Sequence, residues 1–136
     1  MHRFITIFLI SWVLLIPMSA QTVPEGLIEA ISKGEARKMA DYFHQSLEMT
    51  ILEKDHVASK NQATRIMENF FKAHPPREFI ISFEGAKEKS KYAIGTLTTD
   101  DGTYRVNMFF LNKENKRLIY YLSIIKESQY ELYPGP

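Results

Sequence analysis

The pattern of hydrophobic and polar positions along this chain changes from a helical to a strand period. Between residues 24 and 43, apolar positions recur every three or four residues and Gly34 interrupts them, which predicts two short helices. Residues 47–52 alternate as a half-buried strand does, and the polar residues 53–56 predict a loop. A third helix follows, because one face carries an apolar stripe: Ala63, Ile66, Met67, Phe70 and Phe71.

Local signals support the ends of these helices. Thr22 with Glu25, and Ser59 with Gln62, have the spacing of a capping box, in which two side chains cap the first turn. The glycine between the first two helices suits the left-handed position that follows many helices. Residues 74–76 end the third helix, because they include two prolines and proline cannot continue a helix.

The rest of the chain predicts a meander of antiparallel strands. Asp100, Asp101 and Gly102 form a strong tight-turn signal within it. Helices that precede an antiparallel sheet predict an α+β fold, with three N-terminal helices packed on a strongly curved, mainly antiparallel sheet. The four predicted strands are residues 79–84, 92–98, 104–111 and 117–126.

Two of the predicted strands are apolar on both faces. Val106 and Met108 alternate with Phe109 and Leu111, and residues 118–125 repeat this pattern. An antiparallel sheet with one face in water alternates more cleanly, so we expect a cover over the second face. A homodimer that packs sheet to sheet is the preferred cover, and a bent sheet that wraps on itself is the alternative.

The N-terminal segment has the composition of a signal peptide. Residues 1–20 combine a short basic start, an apolar stretch at residues 4–16 and small residues before an expected cleavage at Gln21. The apolar stretch falls short of the roughly 20 residues that span a bilayer, which disfavours the alternative of an uncleaved anchor. We expect one domain at residues 21–127, a frayed tail at 128–136, and a soluble periplasmic or secreted protein.

Charge and cysteine content exclude several function classes. Arg3 is the one charged residue among the first twenty, so residues 21–136 balance 16 basic against 16 acidic residues. A neutral surface argues against binding to nucleic acid and against a polybasic membrane patch. The chain has no cysteine, which excludes disulfides, thiolate metal sites, a cysteine nucleophile and a lipid-anchored lipoprotein.

Several segments carry a distinctive pattern: VPEGLIEAI at residues 23–31, LEMTIL at 47–52, YAIGTLT at 92–98 and GTYRV at 102–106. Together they resemble a family of exported Bacteroidetes proteins known as a domain of unknown function, with a nuclear transport factor 2-like, or cystatin-like, fold. The resemblance implies a cone of three helices around a curved sheet, a frequent dimer and a pocket at the open end. It implies no activity, since that superfamily includes isomerases, dehydratases, polyketide cyclases and binding modules.

Aromatic residues provide the candidate ligand pocket. We expect Tyr42, Tyr92, Tyr104 and Tyr120 to point inward together with Met108. Such a set would line an apolar pocket with a few hydroxyl groups, which is the usual composition of a small-molecule site. The alternative is that the same rings pack in the core or in a dimer interface.

A histidine provides the candidate for catalysis. An enzyme of the dehydratase type needs a histidine paired with an acid. His44 follows the second predicted helix near the expected mouth of the cone, where an inward tyrosine is its expected partner. Its alternative role is a cation at the C-terminus of that helix. His56 and His74 are expected at the surface, and Glu48 is expected to face solvent.

The sequence leaves three hypotheses for function. The first is a non-catalytic exported domain that binds a small apolar molecule or a protein. The second is an isomerase- or dehydratase-like enzyme, and the third is a structural or interaction module with a filled cone. No histidine pair has helical metal-site spacing, and residues 100–102 lack the oxygen ligands that calcium needs, so we expect neither a metal nor a cofactor.

Overall fold

The computed structural model describes residues 23–130, so the expected signal segment and residues 131–136 lie outside the described range. The helices within it are α1 (Glu25–Lys33), α2 (Ala36–Met39), α3 (Lys60–Ala73) and α4 (Glu127–Tyr130), with a 3-10 turn at Ala40–Tyr42. The strands are β1 (Phe43–Ile51), β2 (Lys54–Ser59), β3 (Pro76–Lys87), β4 (Ser90–Thr99), β5 (Gly102–Lys113) and β6 (Lys116–Lys126).

The third helix begins and ends where the sequence predicts. The Ser59 hydroxyl accepts from the Gln62 backbone N–H at 3.2 Å, and the Gln62 side chain accepts from the Ser59 N–H at 3.0 Å, which completes the capping box. His74 follows the last turn, and its backbone N–H donates to the Phe70 carbonyl. The predicted stripe packs into the core: Ala63, Met67, Phe70 and Phe71 are buried and Ile66 is partly buried.

The second helix is shorter than its pattern predicts. Gly34 ends α1 with φ of 68°, in the left-handed conformation that the sequence indicates. The chain leaves helical geometry after Tyr42, and Phe43 begins β1. Phe43 is only 2% exposed in the strand. An apolar residue at this position also fits the helical spacing of the residues before it, so the sequence pattern includes it in the helix. Thr22, the predicted cap of α1, lies outside the described residues.

The six strands form one mixed sheet in the order β2-β1-β6-β5-β4-β3. Neighbouring strands pair antiparallel, except β1 and β6, which are parallel. The predicted meander is confirmed, and Gly102 lies with φ of 144° after the Asp100–Asp101 turn. Three N-terminal helices and a mainly antiparallel sheet make the fold α+β, as the sequence predicts.

The β2 strand replaces the predicted polar loop at residues 53–56. It forms a hairpin with β1 in which Ile51 pairs with Lys54, and Leu52 has a positive φ of 59° in the turn. β2 is an edge strand, and Ala58 is its one buried residue. A strand with so little burial shows no apolar alternation, so its sequence resembles that of a loop.

Alternate residues of the central strands divide the sheet into two faces. The face that packs against α1, α2 and α3 is called the covered face. Its buried side chains include Ala93, Leu97, Tyr104, Val106, Met108, Phe110, Ile119, Leu122 and Ile124. The opposite face, called the open face, carries half-buried side chains that include Tyr92, Ile94, Thr96, Asn107, Phe109, Tyr120 and Tyr121.

A bulge in β6 places Tyr120 on the open face. Phe109 pairs with Tyr121, whereas Phe110 pairs with Ile119, so Tyr120 is an extra residue on β6. Simple alternation groups Tyr120 with the buried residues that follow it. That prediction is wrong, because one inserted residue reverses the alternation beyond it.

Candidate functional site

The open face contains a cavity of ≈ 800 Å³, which we call the open-face cavity. Strands β1, β2, β4, β5 and β6 all contribute to it, so the sheet itself forms its floor. Its lining includes His44, Ser46, Glu48, Val57, Tyr92, Ile94, Asn107, Phe109, Leu111, Tyr120 and Tyr121.

A row of aromatic rings crosses this cavity. The Phe109 ring is its centre and lies 5.8 Å from the ring of Tyr92, 5.4 Å from that of Tyr121 and 6.1 Å from that of Tyr120. The Phe83 ring extends the row, 5.7 Å beyond Tyr92. Rings at these separations attract one another through their quadrupoles, in addition to the apolar area that they bury. The row therefore forms an ordered aromatic surface without support from a helix.

Polar atoms border the aromatic row. The Tyr120 hydroxyl lies 2.8 Å from the Ser90 hydroxyl, which holds the ring of the bulge residue in one orientation. The His44 Nδ1 atom lies 3.0 Å from the Ser46 carbonyl oxygen. Glu48 is exposed at the edge of the cavity. The site thus combines a broad apolar floor with a few polar groups, as small-molecule sites do.

A second cavity, of ≈ 740 Å³, lies between α3, the β1–β2 hairpin and the start of β5. We call it the helix-side cavity. One side is polar and consists of His74, Asp101 and Tyr104, at the end of α3 and in the β4–β5 turn region. The remaining lining comprises Ile51, Leu52, Glu53, Lys54, His56, Ile66, Asn69, Phe70, Ala73 and Lys126.

The polar side of the helix-side cavity is a connected cluster. Asp101 Oδ2 lies 2.7 Å from His74 Nδ1, and the Tyr104 hydroxyl lies 3.2 Å from that oxygen and 3.0 Å from Nδ1. The Thr99 hydroxyl donates to Asp101 Oδ1 at 2.6 Å. The Phe70 ring packs 4.8 Å from the imidazole and 5.5 Å from the Tyr104 ring. Each polar side chain is therefore fixed by at least two neighbours.

Hydrogen bonds set the ionisation of this cluster. The Thr99 hydroxyl contributes most to lowering the pKa of Asp101 from 3.8 to about 2. Desolvation opposes this change, and hydrogen bonds with His74 and Tyr104 lower the pKa further. Burial raises the pKa of Tyr104 above 10.0, and the negative charge of Asp101 raises it further. At neutral pH the carboxyl group is therefore charged and the phenol is neutral.

The five predicted pocket residues lie in three places. Tyr104 and Met108 are buried on the covered face. Tyr92 and Tyr120 line the open-face cavity. Tyr42 is half-buried after α2, where its ring packs against α1. The structure therefore brings Tyr92 and Tyr120 together and separates both of them from the other three.

The strand register explains why Tyr92 and Tyr104 lie on opposite faces. Tyr104 pairs with Leu97 across the β4–β5 hairpin, so these two residues share a face. Tyr92 precedes Leu97 by five positions, and an odd separation in a strand changes the face. The position of the tight turn and strict alternation along both strands are therefore enough to predict that the two tyrosines lie on opposite faces.

The histidines differ from their predicted positions. His44 lies in β1 rather than at a helix end, and it lines the open-face cavity. His56 and His74, which are expected at the surface, are half-buried, and both line the helix-side cavity. The His74 side chain is 18% exposed and pairs with Asp101, which is 27 residues away in sequence. No local motif marks this pair, since the two residues meet only after α3 packs on the sheet.

Residues 23–130 contain no group of three or more histidine, aspartate or glutamate residues that could hold a metal ion. The same range has no helix that is long and apolar enough to cross a membrane.

A known family matches nearly all of the described residues. Residues 24–124 match the family model described as Domain of unknown function (DUF4783). A crystal structure of a DUF4783 family protein from Bacteroides uniformis is 34% identical, covers 76% of this chain and 96% of that chain, and has a TM-score of 0.72. The chain belongs to the DUF4783 family.

More distant solved structures share the fold of this chain. A Nostoc punctiforme domain of unknown function with a cystatin-like fold is 14% identical, covers 79% of this chain and 77% of that chain, and has a TM-score of 0.61. An NTF-2 like protein of unknown function from Silicibacter pomeroyi is 13% identical, covers 74% of this chain and 86% of that chain, and has a TM-score of 0.56. These likenesses show the fold alone and confirm the predicted nuclear transport factor 2-like, or cystatin-like, fold. No curated protein gives a significant match to the chain.

Proposed function

We propose that this DUF4783 family member is an exported, non-catalytic binding domain that holds a small apolar molecule in the open-face cavity. The observation that carries this proposal is the row of rings centred on Phe109, which lies on a face of the sheet that α1, α2 and α3 leave uncovered. Aromatic rings that only stabilise a fold are normally buried under another layer, whereas these remain half-buried.

The aromatic surface is confined to one part of the open face. Toward the β4–β5 turn the same face carries Thr96, Thr98, Thr103 and Arg105. The volume of ≈ 800 Å³ falls within the roughly 300–1,000 Å³ range of small-molecule sites. A local cavity of this size and composition favours a compact ligand over a long extended one.

A second copy of the chain is the proposed cover of this cavity. Three large apolar side chains at or beside its rim are exposed: Val57 by 81%, Phe83 by 51% and Leu111 by 37%. Exposed apolar groups around a concave surface are typical of protein interfaces. A sheet-to-sheet homodimer would bury these side chains and enclose the ligand between two aromatic rows.

One observation on the covered face supports the alternative that the protein is an enzyme. A pocket histidine contacts a tyrosine in the helix-side cavity, where His74 and Tyr104 meet. The earlier candidate, His44, lies in the open-face cavity instead. Ligand binding in the open-face cavity and catalysis in the helix-side cavity can therefore be tested separately.

Titration with the fluorescent dye 8-anilinonaphthalene-1-sulfonate tests the binding proposal. We expect one dye molecule per chain and about tenfold weaker binding to the Phe109→Ala variant, which removes the centre of the row. Ile80→Ala is the matched control, because Ile80 is 54% exposed but does not line the cavity. Equal dye binding by all three proteins would indicate non-specific adsorption and contradict the proposal.

Tryptophan fluorescence tests the proposed export. Trp12 is the single tryptophan of the chain and lies in the proposed signal segment. Protein recovered from the periplasm or medium should therefore show emission from tyrosine alone. Tryptophan emission from that fraction would mean that the segment is retained.

A further inference from the structure

The hydrogen bonds of Asp101 determine which nitrogen of His74 carries a proton. Asp101 Oδ2 lies 2.7 Å from His74 Nδ1, and an ionised carboxylate can only accept hydrogen bonds. The contact therefore requires a proton on Nδ1. In a neutral imidazole, Nε2 then has a free lone pair and is a hydrogen-bond acceptor.

Within residues 23–130, the contacts of the imidazole with Asp101 and Tyr104 are both made by Nδ1, so Nε2 takes no part in the cluster. His74 lines the helix-side cavity, and its side chain retains 18% exposure. Tyr104 and Asp101 use their polar atoms within the cluster. The unused acceptor of the cluster is thus Nε2.

The lining of the helix-side cavity is mixed: apolar side chains form two of its sides, beside charged and polar ones from β2, α3 and β6. Ile51 and Leu52 from the β1–β2 hairpin contribute one side, and Ile66 and Phe70 from α3 contribute another. Its volume of ≈ 740 Å³ is within the range of small-molecule sites. An apolar ligand that enters must pair any hydroxyl or N–H group that it buries, because an unpaired buried donor is costly.

We propose that the helix-side cavity is a second ligand site, in which His74 Nε2 accepts a hydrogen bond from an apolar molecule that carries one hydroxyl or N–H group. Asp101 acts as a positioning residue, because it holds the proton on Nδ1 and fixes the ring. Thr99 and Tyr104 in turn hold the Asp101 carboxylate. This site lies on the covered side of the sheet, so its test does not depend on whether the open-face cavity binds a ligand.

The tautomer of His74 is the first test. Long-range ¹H–¹⁵N spectra of the full protein at neutral pH should show the proton on Nδ1. In Asp101→Ala the proton should move to Nε2 in a large fraction of molecules. Asp100→Ala is the matched control, because Asp100 belongs to the same turn but pairs with Arg77, and it should retain the Nδ1 proton. A wild-type His74 with its proton on Nε2 would overturn the proposal.

Binding of two small probes is the second test. Phenol and toluene have similar shapes, but only phenol has a hydroxyl group to donate to Nε2. Phenol should shift the Nε2 signal of His74, and in His74→Phe its dissociation constant should rise roughly fivefold, as the loss of one hydrogen bond predicts. The dissociation constant of toluene should change little. A phenol titration that leaves His74 unaffected, or equal weakening of both probes, would overturn the proposal.

Discussion

The two faces of the sheet are built from alternate residues of the same strands, yet they differ in packing. On the covered face, Ala93, Leu97 and Met108 have no solvent exposure. On the open face, Tyr92 and Phe109 are larger and remain half-buried. The side chains of the covered face pack beneath the helices, whereas the rings of the open face contact one another without a helix above them. The covered face therefore stabilises the fold, and the open face is the one on which we propose that a ligand binds.

Adjacent phenylalanines in β5 provide the strongest test of this difference. Phe110 is 1% exposed on the covered face, and Phe109 is half-buried on the open face. We expect Phe110→Ala to lower the free energy of unfolding by about 3–5 kcal/mol, because it leaves a cavity in a packed core. Phe109→Ala should cost about 1–2 kcal/mol at protein concentrations at which the proposed dimer is dissociated, since the ring is only partly buried in the single chain. Urea unfolding of both variants measures the two values.

Equal losses of unfolding free energy in the two phenylalanine variants would contradict the proposed difference between the two faces. Such a result would mean that the open face contributes to stability as a core does. A larger loss in Phe109→Ala would mean that another layer covers this ring in solution, as the proposed dimer does. Repeating the measurement over a range of protein concentrations separates these two explanations, because only dimer dissociation depends on concentration.

Two glycines give a second test. A Cβ at Gly95, on the covered face, would lie 2.6 Å from the Phe79 ring and 3.0 Å from the Ile80 carbonyl oxygen. A Cβ at Gly85, on the open face, would lie 2.5 Å from the Tyr92 ring. We expect Gly95→Ala to cost about 1–3 kcal/mol by overpacking. Gly85→Ala should cost less, because the Tyr92 ring has open space into which it can rotate.

Thermal unfolding of the two alanine variants measures this difference. A Gly85→Ala variant as unstable as Gly95→Ala would show that Tyr92 cannot move, and that the open face is as tightly packed as the covered face.

The acid dependence of stability gives the smallest expected effect. The pKa of Asp101 is lowered from 3.8 to about 2 in the folded protein. The stabilisation from this depressed pKa is present above 3.8 and is lost as the pH falls toward 2. Asp101→Asn removes that contribution, so its unfolding free energy should fall less steeply with acid than that of the wild type over this interval. Parallel curves would show that the carboxylate is not held by Thr99 and His74.

Local sequence signals predict most of the fold. The Ser59–Gln62 capping box and the Asp100–Gly102 turn depend on neighbouring residues, and both occur as predicted. The β2 strand is missed because an exposed edge strand has no periodic apolar signal. The bulge at Tyr120 is missed because it is set by pairing with β5 rather than by the local sequence of β6.

The candidate sites were less predictable than the fold. The prediction groups Tyr92 with Tyr120, and both line the open-face cavity, but the face on which they lie depends on strand register and on a bulge. The contact of His74 with Asp101 depends on how the end of α3 meets the β4–β5 turn. Such a contact is tertiary, so neither residue type nor spacing reveals it.

Native mass spectrometry of the protein purified from its native host tests the central claim, that the open face is a binding surface. We predict a homodimer of the mature chain that carries the additional mass of a small apolar compound. The Phe109→Ala variant should lose that additional mass. A wild-type protein that is monomeric and carries no additional mass, or a Phe109→Ala variant that retains the compound, would contradict this account.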